Sequence, residues 1–145
     1  MFDQFLNKLS ILQPDQKPLW GKMTPQHMVE HLILSLQMSN GKLNLKCISQ
    51  PENLPSLKRF LLSERVLPKD YINPYIGPNL LPLKYSGLEE AVEYLEKEIE
   101  IYNKFFKLNP DAKNVHVIFG ELNKQEWDRF HSKHLTHHLE QFNLL

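Results

Sequence analysis

The chain lacks several residue sets that whole classes of function depend on. Its 145 residues include one cysteine, Cys47, so no internal disulfide can form, which fits a reducing compartment. Five glycines leave no room for a Gly-rich phosphate loop, and nucleotide binding has no support. Net charge is absent: 17 Lys+Arg balance 17 Asp+Glu, and only Arg59, Arg65 and Arg129 are arginines. No basic field recruits nucleic acid or an anionic membrane. Long apolar runs are missing too. The longest, such as Leu32-Ile33-Leu34, fall far below the ~20 residues of a membrane span. Asp3 and its polar neighbours interrupt the apolar stretch that a signal peptide would need. Together these absences lead us to expect a soluble, cytoplasmic protein.

Four segments carry helical periodicity. Phe2, Phe5, Leu6, Leu9 and Leu12 make one apolar stripe, which Pro14 ends. A second helix opens at Thr24-Pro25, a capping hydroxyl followed by proline at the first helical position, and stops at Asn40-Gly41. In the third, Ser86-Gly-Leu-Glu89 reads as a capping box ahead of Leu88, Val92, Leu95, Ile99, Tyr102 and Phe106. Glu93/Lys97 and Glu100/Lys104 add ion pairs one turn apart, and Asn109-Pro110 closes this helix. The fourth takes Asn123 as cap, Glu126 three residues later, and Leu122 against Trp127 as a staple, and continues to about Phe142.

Between the second and third helices lie residues 41–85, with Pro51, Pro55, Pro68, Pro74, Pro78 and Pro82. So long a connection implies a crossover or a lid. Leu57–Ser63 fits a short helix within it, and Val115–Phe119 alternates weakly enough to be extended. The expected architecture is one all-α domain over residues 1–145. It would be a four-helix bundle with a long proline-rich crossover between helices 2 and 3.

Histidine is where the chemistry concentrates. His131, His134, His137 and His138 fall within eight positions of the last helix, and His27 and His31 lie four apart on the second. Residues four apart project about 40° from each other on one helix face. Imidazole is the commonest metal-ligand side chain, so two such pairs on two helices point to a metal between them. His134 and His138 share a face with Trp127, Phe130, His131 and Gln141, where leucines would be expected. Unpartnered polar groups buried there would cost roughly 1–3 kcal/mol each. The bland alternative is a wet, histidine-rich surface near the helix end.

His31 shares its face with Leu34, Ser35 and Met38 and points inward, whereas His27 reads as a cap-region residue. His131 fits a fourth donor, a general base or a pocket wall. His137, about 60° from His134, reads as structural, and His116 stays ambiguous. His27-Met-Val-Glu30-His31 also matches the inverted zincin pattern, in which Glu30 would activate water, though five residues match readily by chance in such a chain. No pair of inward Glu-x-x-His motifs supports a di-iron site. Cys47, with one lysine beside it, reads as incidental rather than nucleophilic.

Trp20-Gly-Lys-Met-Thr-Pro-Gln-His-Met-Val-Glu-His31-Leu resembles the second-helix pattern of the DinB/YfiT-like superfamily of metalloenzymes. Trp127–Phe142, with the preceding turn Phe119-Gly-Glu-Leu122, resembles the last helix of small bacterial proteins in that superfamily. The resemblance implies a four-helix bundle with a divalent metal on three histidines, His31, His134 and His138. It also implies relatives that include thiol-dependent S-transferases and a maleylpyruvate isomerase. The chain departs from the pattern at His116-Val-Ile-Phe, where look-alikes carry His-Pro. Despite the superfamily's name, no DNA binding is implied.

Three readings of function follow. The first is a metal-dependent transferase or hydrolase acting on a small molecule, with a low-molecular-weight thiol as one partner. Zinc suits three imidazoles best, and nickel, iron or manganese also accept them. Glu30 or His131 would act as catalytic base, and Gln141 or Gln26 would orient a ligand. The second is a non-catalytic metal- or ligand-binding helical module, its site closed by His131 or His27. The third is an interaction protein whose histidines lie at the surface. Trp20 and Tyr71-Ile-Asn-Pro-Tyr75 would supply the apolar surface of a homodimer.

Overall fold

Thr24 does what its place before Pro25 predicts: its hydroxyl accepts a hydrogen bond from the His27 amide (3.2 Å) and starts the helix that carries His31. The computed structural model describes residues 1–74 and 76–145. In chain order its elements are α1 (Phe2–Leu9), α2 (Pro25–Ser39), a 3-10 turn (Pro51–Asn53) running into α3 (Leu54–Leu62), and α4 (Leu88–Leu108). Strands β1 (Asn114–His116) and β2 (Gly120–Leu122) and helix α5 (Lys124–Gln141) follow.

This is a mixed α/β architecture, and it corrects the all-α four-helix bundle expected from periodicity. The stripe of the first segment is buried as far as Leu12, but the helix stops at Leu9 and the chain continues as turns. Eight residues span about 12 Å, so α1 packs on α5 over only part of that helix's length. The crossover contributes α3 instead, over Leu54–Leu62 rather than the expected Leu57–Ser63.

Residues 114–122 fold as a hairpin, antiparallel in the register Asn114↔Leu122, Val115↔Glu121, His116↔Gly120. Of the expected extended run Val115–Phe119, only Val115 and His116 are in a strand; residues 117–119 form the turn. The hairpin closes on the His116 ring, whose Nδ1 accepts from the Ile118 (3.0 Å) and Phe119 (3.2 Å) amides. Gly120 then turns the chain at a φ of 75°, a conformation that costs glycine little.

Helix α2 is the central element. Met28, Val29, Leu32, Ile33, Ser35, Leu36 and Ser39 are all buried, covering more than one face, and α2 packs chiefly along α4. Ala91, Leu95, Glu98, Ile99, Tyr102 and Phe106 form the facing stripe of α4. Glu98 is the polar exception in that stripe. Its carboxylate accepts from Gln37 Nε2 (3.0 Å), Asn40 Nδ2 (3.0 Å) and Lys42 Nζ (2.6 Å), joining the C-terminal end of α2 to α4. Burial pushes its pKa up, but these donors more than offset that and hold it below the usual carboxylate range. We expect Glu98→Leu to cost about 2 kcal/mol, because it strands the buried Asn40 amide. Urea unfolding measures this, and an unchanged midpoint would make the network dispensable.

The two predicted capping boxes have different fates. At α5 both halves form: Asn123 accepts from the Glu126 amide and Glu126 from the Asn123 amide. At α4 the cap is Gly87, and Glu90, not Glu89, takes the Ser86 amide (2.7 Å) and hydroxyl (2.8 Å). Neither Glu93–Lys97 nor Glu100–Lys104 pairs among the described residues. Lys97 lies over the Tyr94 ring, and the one-turn ion pair belongs to Lys124–Asp128.

The crossover is lashed to the two helices that carry the histidines. Arg129 Nη2 (2.8 Å) and Lys133 Nζ (2.6 Å) both donate to the Ser63 carbonyl, and Lys133 also donates to that of Arg65. Steps of four residues on a helix rise about 6 Å, close to the ~6.6 Å of two residues of extended chain, so the two sets register. Further along, the Lys84 amide donates to Glu30 Oε1 (2.6 Å), and Gln26 Nε2 donates to the Tyr85 carbonyl (2.8 Å). Of the apolar residues expected at a homodimer surface, Tyr71 and Ile72 are exposed, and Trp20 is half-buried against His137. Tyr75 lies outside the described residues. No helix among them is long and apolar enough to cross a membrane.

Candidate metal centre

Helix α2 presents His31, and α5 presents His134 and His138 one turn apart. Each ring turns its Nε2 toward a common point. The His31–His134 Nε2 distance is 2.8 Å, that between His138 and His134 is 3.1 Å, and the three donor atoms lie within 4.8 Å of one another. Tetrahedral zinc with Zn–N of about 2.0–2.1 Å would set nitrogens about 3.3 Å apart, so small ring movements suffice.

The proton count also favours a cation. His134 Nε2 makes both short contacts, yet a ring nitrogen carries either one proton or one lone pair. The two contacts therefore cannot both be full hydrogen bonds, whereas a cation would accept one lone pair from each of the three Nε2 atoms. The three histidines form a cluster that could hold a metal ion.

Burial keeps these imidazoles neutral. It pushes the pKa of His31 down to about 4, with His137 nearby adding to the effect. His134 and His138 are held well below the usual histidine range, first by burial and then by neighbouring imidazoles. Neutral rings are the form that binds metal. Behind His138, Nδ1 lies 2.8 Å from Gln141 Oε1, and Gln141 Nε2 donates to the Trp20 carbonyl (3.0 Å). Metal-bound histidines almost always have such a partner on the other nitrogen. His134 departs from this pattern, since its buried Nδ1 has no partner among the described residues.

The other expected residues lie apart from the cluster. His27 sits in the α2 cap, its Nδ1 2.7 Å from Thr24 Oγ1, so the inverted zincin pairing of His27 with His31 is not assembled. Glu30 is half-buried and spends its oxygens on Gln26 and the Lys84 amide. His131 is buried beneath the cluster, its Nε2 2.9 Å from Ser39 Oγ and its ring stacked on Trp127. Burial takes its pKa to about 3. Gln26 anchors the crossover, and Cys47 lies near the Ile118 carbonyl (3.9 Å). His116 belongs to the hairpin. The tie from Gln141 to Trp20 was missed by sequence reasoning, because a contact across 121 positions leaves no local pattern. The glutamine three residues after a candidate ligand was the one available signal.

A family model described as "Protein of unknown function (DUF1569)" matches residues 87–144. That span takes in α4, the hairpin and α5, hence His134 and His138 but not His31. No curated protein and no solved structure gives a significant match to the chain. None of these comparisons links it to the DinB/YfiT-like superfamily.

Proposed function

We propose that the chain is a metal-dependent enzyme, a transferase or hydrolase that uses a thiol or water as nucleophile on a small-molecule substrate. One observation supports this above the others. Three neutral nitrogens converge, and among the described residues no fourth His, Cys, Asp or Glu joins them. Structural zinc sites are closed by four protein ligands, whereas catalytic ones keep a position open. The donors that would have closed the site, His27 and His131, are held by Thr24 and Ser39.

A divalent ion held there would lower the pKa of a water or thiol joining it toward ~7. Zinc is the first choice for three imidazoles, with nickel, iron and manganese as alternatives. Phe130, packed on His134, shields one flank, and half-buried His31 leaves the other nearer solvent. Of the two expected bases, Glu30 keeps lone pairs free after its bonds to Gln26 and the Lys84 amide, whereas His131 Nε2 is taken up by Ser39 Oγ. Kinship with the DinB/YfiT-like metalloenzymes is part of the proposal and rests on the resemblance of the two histidine-bearing segments.

X-ray absorption on zinc-loaded protein tests the reading. About one zinc per chain should be held by three imidazoles plus at least one exchangeable light atom. A fourth protein ligand would point to a structural site, and no zinc uptake would end the proposal.

A further inference from the structure

The geometry points to Gln141 as the positioning residue of the metal centre: it fixes which nitrogen of His138 is free and ties that ligand to the Trp20–Gly21 turn. The inference rests on the metal reading above.

Gln141 is 5% exposed in the last turn of α5. Its carboxamide has one orientation that satisfies both neighbours. The Trp20 carbonyl can only accept, so it must face Nε2, at 3.0 Å. Oε1 is thereby left against His138 Nδ1, at 2.8 Å, and an amide oxygen can only accept. His138 must therefore carry its proton on Nδ1, which leaves the Nε2 lone pair facing His31 and His134. Of the two cluster histidines on α5, His138 is the one set in this way, since His134 Nδ1 has no partner among the described residues.

The same residue grips the turn a second time, because its backbone carbonyl accepts from the Leu19 amide (2.7 Å). Gly21 makes the approach possible. A Cβ there would lie 3.1 Å from Gln141 Nε2, and its φ of 81° is costly for other residues. This turn leads into Thr24 and the start of α2, so one carboxamide connects the His138 ligand to the chain leading to His31.

Zinc affinity, measured by competition with a chromogenic chelator, separates this role from packing. Gln141→Leu should weaken binding about 10–100-fold. Gln141→Glu keeps an acceptor for His138 Nδ1–H but sets a carboxylate against the Trp20 carbonyl. It should bind zinc within about threefold of wild type, or more tightly, because a charged acceptor strengthens that bond. In the zinc-loaded wild type, nitrogen-15 spectra should show a slowly exchanging His138 Nδ1 proton that Gln141→Leu loses.

Wild-type affinity in folded Gln141→Leu would overturn the inference and leave the metal site standing. Equal weakening in both variants would also overturn it, reducing Gln141 to a structural tie. Failure of the wild type to take up zinc would overturn the metal reading itself, and this inference with it.

Discussion

Zinc at about a thousand times its Kd should stabilise the wild-type chain by about 4 kcal/mol, and His31→Ala should abolish that gain. For a chain of this size the gain corresponds to roughly 8–16 °C in melting temperature. The gain follows from mass action, because the ion binds only the folded chain, where His31 and His134 meet across 103 positions. Helix α2 otherwise packs chiefly on α4. His31 is the cleanest position to test, being half-buried and the one cluster member on α2.

His134→Ala should also lose the gain, with a different background. It deletes packing against Phe130 but removes a buried nitrogen that has no partner among the described residues. Thermal unfolding with zinc and with a chelator, on wild type and both variants, gives the answer. An equal zinc shift in His31→Ala would place the metal elsewhere.

Acid should unfold the metal-free protein well before most of its carboxylates are protonated. His116 and His131 lie outside the cluster, and burial takes both to about 3. In the unfolded chain an imidazole titrates near ~6.5, so as pH falls the unfolded state binds protons that the folded state refuses. The stability these groups contribute is complete above ~6.5 and is lost as pH falls toward their folded values. Each one adds a slope of at most ~1.4 kcal/mol per pH unit. Between pH 6 and 4 the two together should remove about 5 kcal/mol, comparable to the whole stability of a small domain. Glu98, held low, adds to the loss with the same sign at lower pH.

Urea midpoints from pH 7 to 4 measure the slope, and His131→Phe should flatten it by removing one group. Phe2, Tyr102, Trp127 and Phe130 surround that ring and suit a phenyl, while Ser39 keeps its own bond to the Leu36 carbonyl. A flat profile in the wild type would show that these imidazoles already bind protons when folded.

Much of the candidate centre was legible in the residues because its signals are local. A four-residue spacing puts His134 and His138 on one face whatever surrounds the helix, and Leu34, Ser35 and Met38 orient His31 by the same periodicity. The Asn123–Glu126 cap and the Thr24–Pro25 start each act within a few residues. They formed as expected because few competing contacts can displace them.

The misreadings occurred where local patterns compete with partners far along the chain. Ser86 had a choice of two adjacent glutamates about one turn further on, and bonded Glu90 rather than Glu89. The stripe ending at Leu12 stayed buried without staying helical, since burial needs only the core's surface and helix needs unbroken backbone bonds. His116 was ambiguous in the sequence. Its ring serves as the acceptor that closes a hairpin, something no spacing rule encodes.

What the sequence by itself determined is the supply of imidazole donors and the two helices that present them, since periodicity and capping act within a turn or two. Tertiary structure alone decided which of the seven histidines meet, that no fourth donor among the described residues joins them, and that the Trp20 carbonyl meets Gln141. Those outcomes depend on how α2, α5 and the Trp20 turn pack against one another. Packing is settled by the whole core at once, and no segment carries it alone.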